Sequence, residues 1–401
     1  MKTLFSLSWI LILAFGSMNC GLNAGTSKGE NSEAQANVLT PLTASATLPN
    51  PSESSKNIQV ALLLDTSNSM DGLIEQAKSR LWNIVNTLTT LKYNGKSPEI
   101  SISLYEYGND GLSENSGYIR QVTTLTQDLD LISEKLFALR TNGGNEYCGA
   151  VISEANQALK WEDGSASMKL MYIAGNEPFD QGSTHYKEAI SDARKKDIYI
   201  NTIFCGLRDE GVRTHWKSGA EIGEGKYFNI NPDNKVRYIE TPYDARIDEL
   251  NMDLNNTYYG YGALGNAKKE NQLLQDTNAS SISESNKVNR AISKSKANAY
   301  SNETWDVVDR VRKDNEFLRQ AADSELPEEM QGMTLEEKEA FVAEKAKERK
   351  AIQKEMEALA GKRQKYIDKA MKASGDAAVD DLGKAIETSI VELGALNGFR
   401  K

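Results

Sequence analysis

Asp65, Ser67 and Ser69 place one carboxylate and two hydroxyls at alternate positions of a single short run, Asp65-Thr66-Ser67-Asn68-Ser69. Oxygen donors with a single fixed charge are what a hard cation such as Mg²⁺ accepts, provided all three point the same way. The flanking chain supplies that aim. Residues 58–64 form an almost unbroken apolar run with β-branched residues at its start, the pattern of a central parallel strand buried on both faces. From Gly72 onward Leu73, Ala77, Leu81, Ile84, Val85 and Leu88 keep helical spacing. The oxygen side chains therefore occupy a strand-to-helix turn. A second reading of the same residues has Asp65 and the serines capping the helix and nothing more.

Strand and helix signals alternate beyond this point. Strands are expected at 100–105, at 118–122 as a short edge strand, and at 169–174, 198–205 and 227–230; helices are expected at 129–139, 151–159, 186–195 and 216–222. Ile247, Leu250, Leu254 and Tyr258 complete the pattern as a closing helix. The fold class is α/β: a doubly wound, mostly parallel six-stranded sheet, with an α-helical C-terminal extension. Residues 58–262 make the sheet domain, 263–302 a polar connection with little periodicity, and 303–401 the helical region. Within the latter, Pro327 interrupts the pattern, and Thr334 with Glu337 forms a capping box opening a helix to Ala373. Phe341, Ile352, Met356, Leu359, Tyr366, Ile367 and Met371 mark its inner side, to be covered by 303–323 or 378–396. A self-associating coiled coil is the alternative, although no strict heptad persists for four repeats.

The 401-residue chain carries a formal charge of −10, which disfavours nucleic acid and anionic membrane as electrostatic partners. Residues 1–24 read as an export signal, with Lys2 ahead of an apolar run over 4–15. Two processing sites compete: lipidation at Cys20, and ordinary cleavage after Ala24. Residues 25–57, rich in Ser, Thr, Asn, Ala and Pro, read as a flexible tether. Cys148 and Cys205 are expected near the same edge of the sheet, so a disulfide and two buried thiols are both open.

The Asp65-Thr66-Ser67-Asn68-Ser69 run resembles the Asp-x-Ser-x-Ser motif of the von Willebrand factor type A domain, and the strand and helix order over 58–261 is similar to that family's. The resemblance implies a metal-ion-dependent adhesion site with two further loops. Asn142-Gly143-Gly144-Asn145-Glu146-Tyr147-Cys148-Gly149 falls at the second loop, which puts Glu146 where the family has a coordinating Thr. Ile173-Ala174-Gly175-Asn176-Glu177-Pro178 falls at the third, which puts Gly175 where the family has an Asp. One carboxylate is lost and another gained. The ligand set implied is Asp65, Ser67, Ser69 and Glu146, with Asn176 adding a carbonyl oxygen or orienting a water; Glu146 is expected to reach the space vacated at Gly175. Mg²⁺ is the implied ion, with Mn²⁺ or Ca²⁺ as substitutes.

The function expected is a non-catalytic, divalent-metal-dependent protein-binding module of the bacterial cell envelope, taking an acidic side chain of an unknown protein partner at the metal. Contact with the membrane is expected only through a lipid anchor. The alternative is an assembly protein with a degenerate metal site, interacting through its C-terminal helices. Catalysis has little to stand on. The chain has two histidines, His185 and His215, and no Lys-Ser/Thr phosphate loop, nucleophile elbow or zinc motif.

Overall fold

The computed structural model describes residues 56–164, 167–231, 238–374 and 382–401. The export signal, Cys20, the cleavage site after Ala24 and nearly all of the tether lie outside the described residues.

One six-stranded sheet organises the molecule: β1 (Asn57–Asp65), β2 (Ile100–Tyr107), β3 (Ile119–Thr126), β4 (Ser167–Gly175), β5 (Ile198–Cys205) and β6 (Glu224–Ile230), in the order β3-β2-β1-β4-β5-β6. All neighbours are parallel except β3, which runs antiparallel to β2 at one edge. β1 is the central strand because every residue after Asn57 is buried. Its side chains alternate between two cores. Ile58, Val60, Leu62 and Leu64 face one, while Ala61 and Leu63 face the other. Each fully buried Leu or Ile contributes about 1.5–3 kcal/mol, so a one-residue slip of this strand would be severely penalised.

The helices follow as α1 (Asp71–Thr90), α2 (Leu129–Ala138), α3 (Cys148–Ala158), α4 (Tyr186–Arg194), α5 (Arg208–Arg213), α6 (Trp216–Ile222) and α7 (Asp244–Asn255). Those of the C-terminal part are α8 (Gly265–Ile282), α9 (Glu284–Lys294), α10 (Val307–Lys313), α11 (Phe317–Gln320), α12 (Leu335–Ser374) and α13 (Leu382–Leu396). α3, α4 and Trp216 of α6 cover the face carrying Ala61 and Leu63. α1 and α2 lie on the opposite face, and there the chain adds a second layer. α9 and α13 pack on α1, while α7 packs on α9 and α12.

The polar connection expected over 263–302 is replaced by α8 and α9. Val288, Ala291, Ile386, Ile390 and Leu393 join the same core as β1. The capping box of α12 forms: Thr334 N–H donates to Glu337 Oε2 at 2.8 Å, and Glu337 N–H donates to Thr334 Oγ1 at 3.3 Å. Its inner side differs from the expected one. Val342, Ile352 and Met356 are buried, whereas Tyr366 and Met371 are exposed, because α12 packs on α10 and α11 through its first turns and on α7 and α9 through its middle, as far as Arg363. Of the two segments expected to cover α12, 303–323 packs on it through α10 and α11, whereas the second supplies α13, which docks on α1.

A strand order that reverses around β1, with β2 on one side and β4 on the other, leaves a crevice at the carboxyl ends of β1 and β4. Asp65 and Gly175 are the last residues of those two strands.

A candidate metal centre

The turn after β1 is shaped by its own side chains. Ser67 N–H donates to Asp65 Oδ1 at 2.7 Å, which folds the chain back over the strand end. Ser67 Oγ and Ser69 Oγ lie 3.2 Å apart, and Asn176 Nδ2 donates to Ser69 Oγ at 3.1 Å. The capping alternative is not realised. Neither Ser67, which precedes the 68–70 turn, nor Met70, which precedes α1, makes a side-chain cap bond. Ser69 thus links the first loop to Asn176 of the third.

The second loop brings Glu146 to the same place. A Cβ built on Gly108 would lie 2.7 Å from Glu146 Cγ and 2.9 Å from Asp65 Oδ1, so both side chains close over that glycine. Gly108 itself has φ +76, a conformation glycine adopts readily. Gly144 completes the fit: a Cβ there would stand 2.4 Å from the Gly108 carbonyl oxygen, so only glycine lets the second loop press against the end of β2. Thr66 and Asn109 tie the loops together. Asn109 Nδ2 donates to the Arg140 carbonyl at 2.9 Å, and Asn142 N–H to the Thr66 carbonyl at 3.0 Å.

Asp65 is wholly buried and Glu146 nearly so, at 0 % and 3 % exposure. Burial pushes the Asp65 carboxyl well above the usual carboxylate range, the adjoining Glu146 carboxyl pushes it further, and the Ser67 N–H opposes both. Glu146 is raised as well, by burial and then by the charge of Glu177, against the pull of Asp65 and Ser67. Asp65 Oδ2 and Glu146 Oε2 have no hydrogen-bond donor, and neither does Asn176 Oδ1. Ionised carboxylates only accept. Two of them facing each other at such depth need a proton or a cation between them. Three orphaned buried oxygens and two hydroxyls form an all-oxygen donor set, which fits Mg²⁺, Mn²⁺ or Ca²⁺. Among the described residues no group of three or more His, Cys, Asp and Glu forms a metal cluster, so any ion here depends on the neutral oxygens too.

All five predicted ligand residues lie at this end of the sheet, with one correction to how they fit. Glu146 does not take the space above Gly175. A Cβ at Gly175 would meet Tyr107 Oη at 2.6 Å and Asp65 Oδ2 at 3.1 Å, so the tyrosine stands there. Tyr107 Oη donates to the Ala174 carbonyl at 3.0 Å and sits 3.8 Å from Cys148 Sγ. Tyr107 and Gly108 were not singled out in the sequence, and Gly144 only as part of the second loop. The signal for them was a glycine just past the expected strand, Gly108, beside the glycine pair Gly143-Gly144 in the loop that packs on it.

Of the two readings open for the cysteines, the buried thiols are the one found. Cys148 and Cys205 are free, buried thiols. Cys148 belongs to the core on the α3 and α4 face and Cys205 to the core on the α1 face, so the sheet separates them. Burial raises both thiols well above their ordinary value. His185 and His215 lie outside the centre: His215 stacks on Tyr186 and lies 3.7 Å from Asp180.

No family profile and no curated protein sequence matches the chain. Among solved structures, it is similar to the conserved hypothetical protein BatB from Bacteroides thetaiotaomicron, with 15% identity, 44% of this chain and 91% of that chain covered, and a TM-score of 0.35. It is similar to the SpRpn10 VWA domain at 18% identity, covering 44% of this chain and 89% of that one, with a TM-score of 0.34. A third neighbour is proximal thread matrix protein 1 from the mussel byssus, described with a zinc-occupied MIDAS motif, at 14% identity, 45% and 43% coverage and a TM-score of 0.34. At these scores the likeness adds nothing to what the strand order and the site geometry establish.

Proposed function

We propose that the chain is a divalent-cation-dependent protein-binding module of the von Willebrand type A kind, without catalytic activity of its own. The observation that carries this reading is the pair of buried carboxyls, Asp65 and Glu146, whose Oδ2 and Oε2 atoms lack any donor at a sheet crevice. Asp65, Ser67, Ser69 and Glu146 would hold the ion, with Asn176 Oδ1 as a further oxygen. When bound, the ion supplies positive charge at the rim and an open coordination position for an acidic side chain of a partner protein. Two carboxylates against a divalent ion leave little net charge. A partner therefore has to gain much of its affinity from the surrounding loops.

Ser67 Oγ is bonded to Ser69, and the carboxyls beside it, Asp65 and Glu146, are the groups we assign to the ion rather than to a general base. The alternative reading, assembly through the C-terminal helices, is weakened because α13 and the first turns of α12 are already spent on the chain's own core. We place the module in the bacterial cell envelope, on the sequence evidence of an export signal and Cys20. No helix among the described residues is long and apolar enough to cross a membrane.

The test is calorimetric titration of the full mature chain with Mg²⁺, Mn²⁺ and Ca²⁺, beside Asp65→Ala. Saturable binding by the native chain that Asp65→Ala abolishes is expected. No binding of any of the three ions would remove the proposal. The isolated sheet domain is a poor sample, since removing α9 and α13 strips the cover from α1.

A further inference from the structure

Apart from the metal centre and sharing no residue with it, α7, α8 and α9 meet around a lysine that has no access to solvent. Lys294, the last residue of α9, is 0 % exposed. Its Nζ lies 2.5 Å from Asn255 Oδ1 and 2.9 Å from Asn251 Oδ1, both on α7. The same atom lies 3.0 and 3.1 Å from the two carboxylate oxygens of Asp276 on α8. Asp276 Oδ2 in turn accepts from Asn255 Nδ2 at 2.8 Å and from Asn251 Nδ2 at 3.0 Å. Arg290 Nε holds the other oxygen, Oδ1, at 2.6 Å, and its Nη1 reaches Asp130 on α2 at 2.6 Å. The remaining charged neighbours are already matched, Lys287 of α9 with Asp248 of α7 at 2.7 Å.

An ion pair alone needs only the ammonium and the carboxylate. Here the amine also lies against the carboxamide of Asn255, and one carboxylate oxygen touches both the amine and the nitrogen that carboxamide would release. Nucleophile, electrophile and proton carrier are within hydrogen-bond reach of one another, in a site closed to water. Hydrolysis of the amide has no water to use, whereas aminolysis has its amine in place.

We propose that Lys294 and Asn255 join in an intramolecular isopeptide bond, with Asp276 as the proton carrier. Lys294 gives one ammonium proton to Asp276 Oδ2, and the freed lone pair on Nζ forms a bond to Asn255 Cγ. Asp276 passes that proton to Nδ2, the Cγ–Nδ2 bond breaks and ammonia departs. The second Nζ proton leaves by the same carboxylate and is carried off by the ammonia. The sum is one ammonium and one carboxamide giving one secondary amide and one ammonium ion, with no oxidant, reductant or co-reactant. Asp276 ends as it began, a carboxylate.

The charge state suits the step. Burial brings the Lys294 amine down to about 8, against the pull of Asp276, so the neutral nucleophile is accessible near neutral pH. Burial alone would raise Asp276, but the charges of Lys294 and Arg290 hold it below the usual carboxylate range, so it is ionised beside the amine and carries the proton only in passing. Asn255 is chosen over Asn251 because both its contacts, to Nζ and to Asp276, are the shorter. The bond would tie α7 to α9 around α8, fastening the second layer against α1.

The test is the mass of the purified full chain under denaturing conditions, with peptide mapping, beside Lys294→Arg and Asp276→Ala. The native chain is expected one ammonia below the mass of its own sequence, and the unlinked variants, which share its N-terminal processing, at the full mass of theirs. Trypsin should fail to cut after Lys294, and a branched peptide should connect Asn255 to Lys294. Asn251→Ala should retain the link. A native chain of full mass with Lys294 cut normally overturns the proposal whatever the variants do, and a branch to Asn251 overturns the assignment to Asn255.

Discussion

Replacing Glu146 by Gln keeps the size of the side chain and removes one of the two buried charges, so its effect on stability should reverse sign with the cation. In metal-free protein, Asp65 and Glu146 face each other with raised pKa values, so the folded state binds protons more readily than the unfolded chain. The stability such carboxyls contribute falls as pH rises through their folded values and is recovered on acidification towards ~4. Metal-free native protein should therefore gain stability between neutral pH and pH ~5, and Glu146→Gln should gain less. Glu106 and Asp306 are also raised by burial, but they are present in both proteins and cancel in the comparison. With Mg²⁺ at a hundred times the dissociation constant, the native chain gains about 2.7 kcal/mol. For a chain of this size that is a rise in Tm of about 5 °C, at roughly 2 °C per kcal/mol. Loss of even an outer-sphere partner weakens metal binding about 10–100-fold. At the 100-fold limit the same Mg²⁺ concentration only equals the new dissociation constant, and the gain drops to about 0.4 kcal/mol. Thermal melts at pH 7 and 5, with chelator and with Mg²⁺, measure all four quantities. Equal Mg²⁺ shifts in both proteins, or identical pH dependence in chelator, would refute the reasoning.

Gly175→Ala drives a Cβ to 2.6 Å from Tyr107 Oη, which should cost about 1–3 kcal/mol by overpacking; combining it with Tyr107→Phe, which removes that nearest atom, should recover part of the loss in urea unfolding. Arg349→Ala should cost about 3–5 kcal/mol in the same assay, because it strands Asp306, bonded at 2.8 Å, and Asp309, at 3.1 Å, both buried. Leu393→Ala on α13, at 1 % exposure, should cost about 2–5 kcal/mol, whereas Leu396→Ala, at 75 % exposure, should stay within about 0.5 kcal/mol; equal effects would mean that α13 is not docked on α1.

The sheet was legible because its central strands are mostly apolar. β1 after Asn57 and the whole of β4 are buried, and only Gln59, Ser167 and Lys169 interrupt the apolar runs that lead to Asp65 and Gly175. α8 and α9 were not legible for the opposite reason. Gln272, Gln275, Asp276, Ser285, Asn286, Arg290, Ser293 and Lys294 are all buried, so the inner face of these helices reads as solvent-facing. Polar groups that satisfy one another, as Arg290 does with Asp130 and Asp276, can be buried without any apolar period. The cysteines stayed ambiguous for a third reason. Both lie at the expected end of the sheet, but sequence position along a strand or helix does not say on which face a thiol falls.

The resemblance pointed to five residues that the fold gathers at one end of the sheet, yet the packing that joins them was not legible, because it depends on a residue with no polar signature in the motif. Tyr107 is the register partner of Asp65 on β2, and its hydroxyl occupies the volume over Gly175 while bonded to the Ala174 carbonyl. Any side chain at position 175 has to evict that hydroxyl from a fully buried place. A second carboxylate must then enter from elsewhere, and the loop that can deliver it is the one Gly144 allows to press on Gly108. Glu146 stands two residues beyond Gly144, over the same glycine as Asp65. Tyr107, Gly108, Gly144, Glu146 and Gly175 thus act as one packing unit, in which the carboxylate exchange follows from where an aromatic ring sits. A single Gly175→Asp substitution should not give back the motif's usual arrangement, since it adds a third buried acid to a pair that already lacks a counter-charge and meets Tyr107 before it meets a cation.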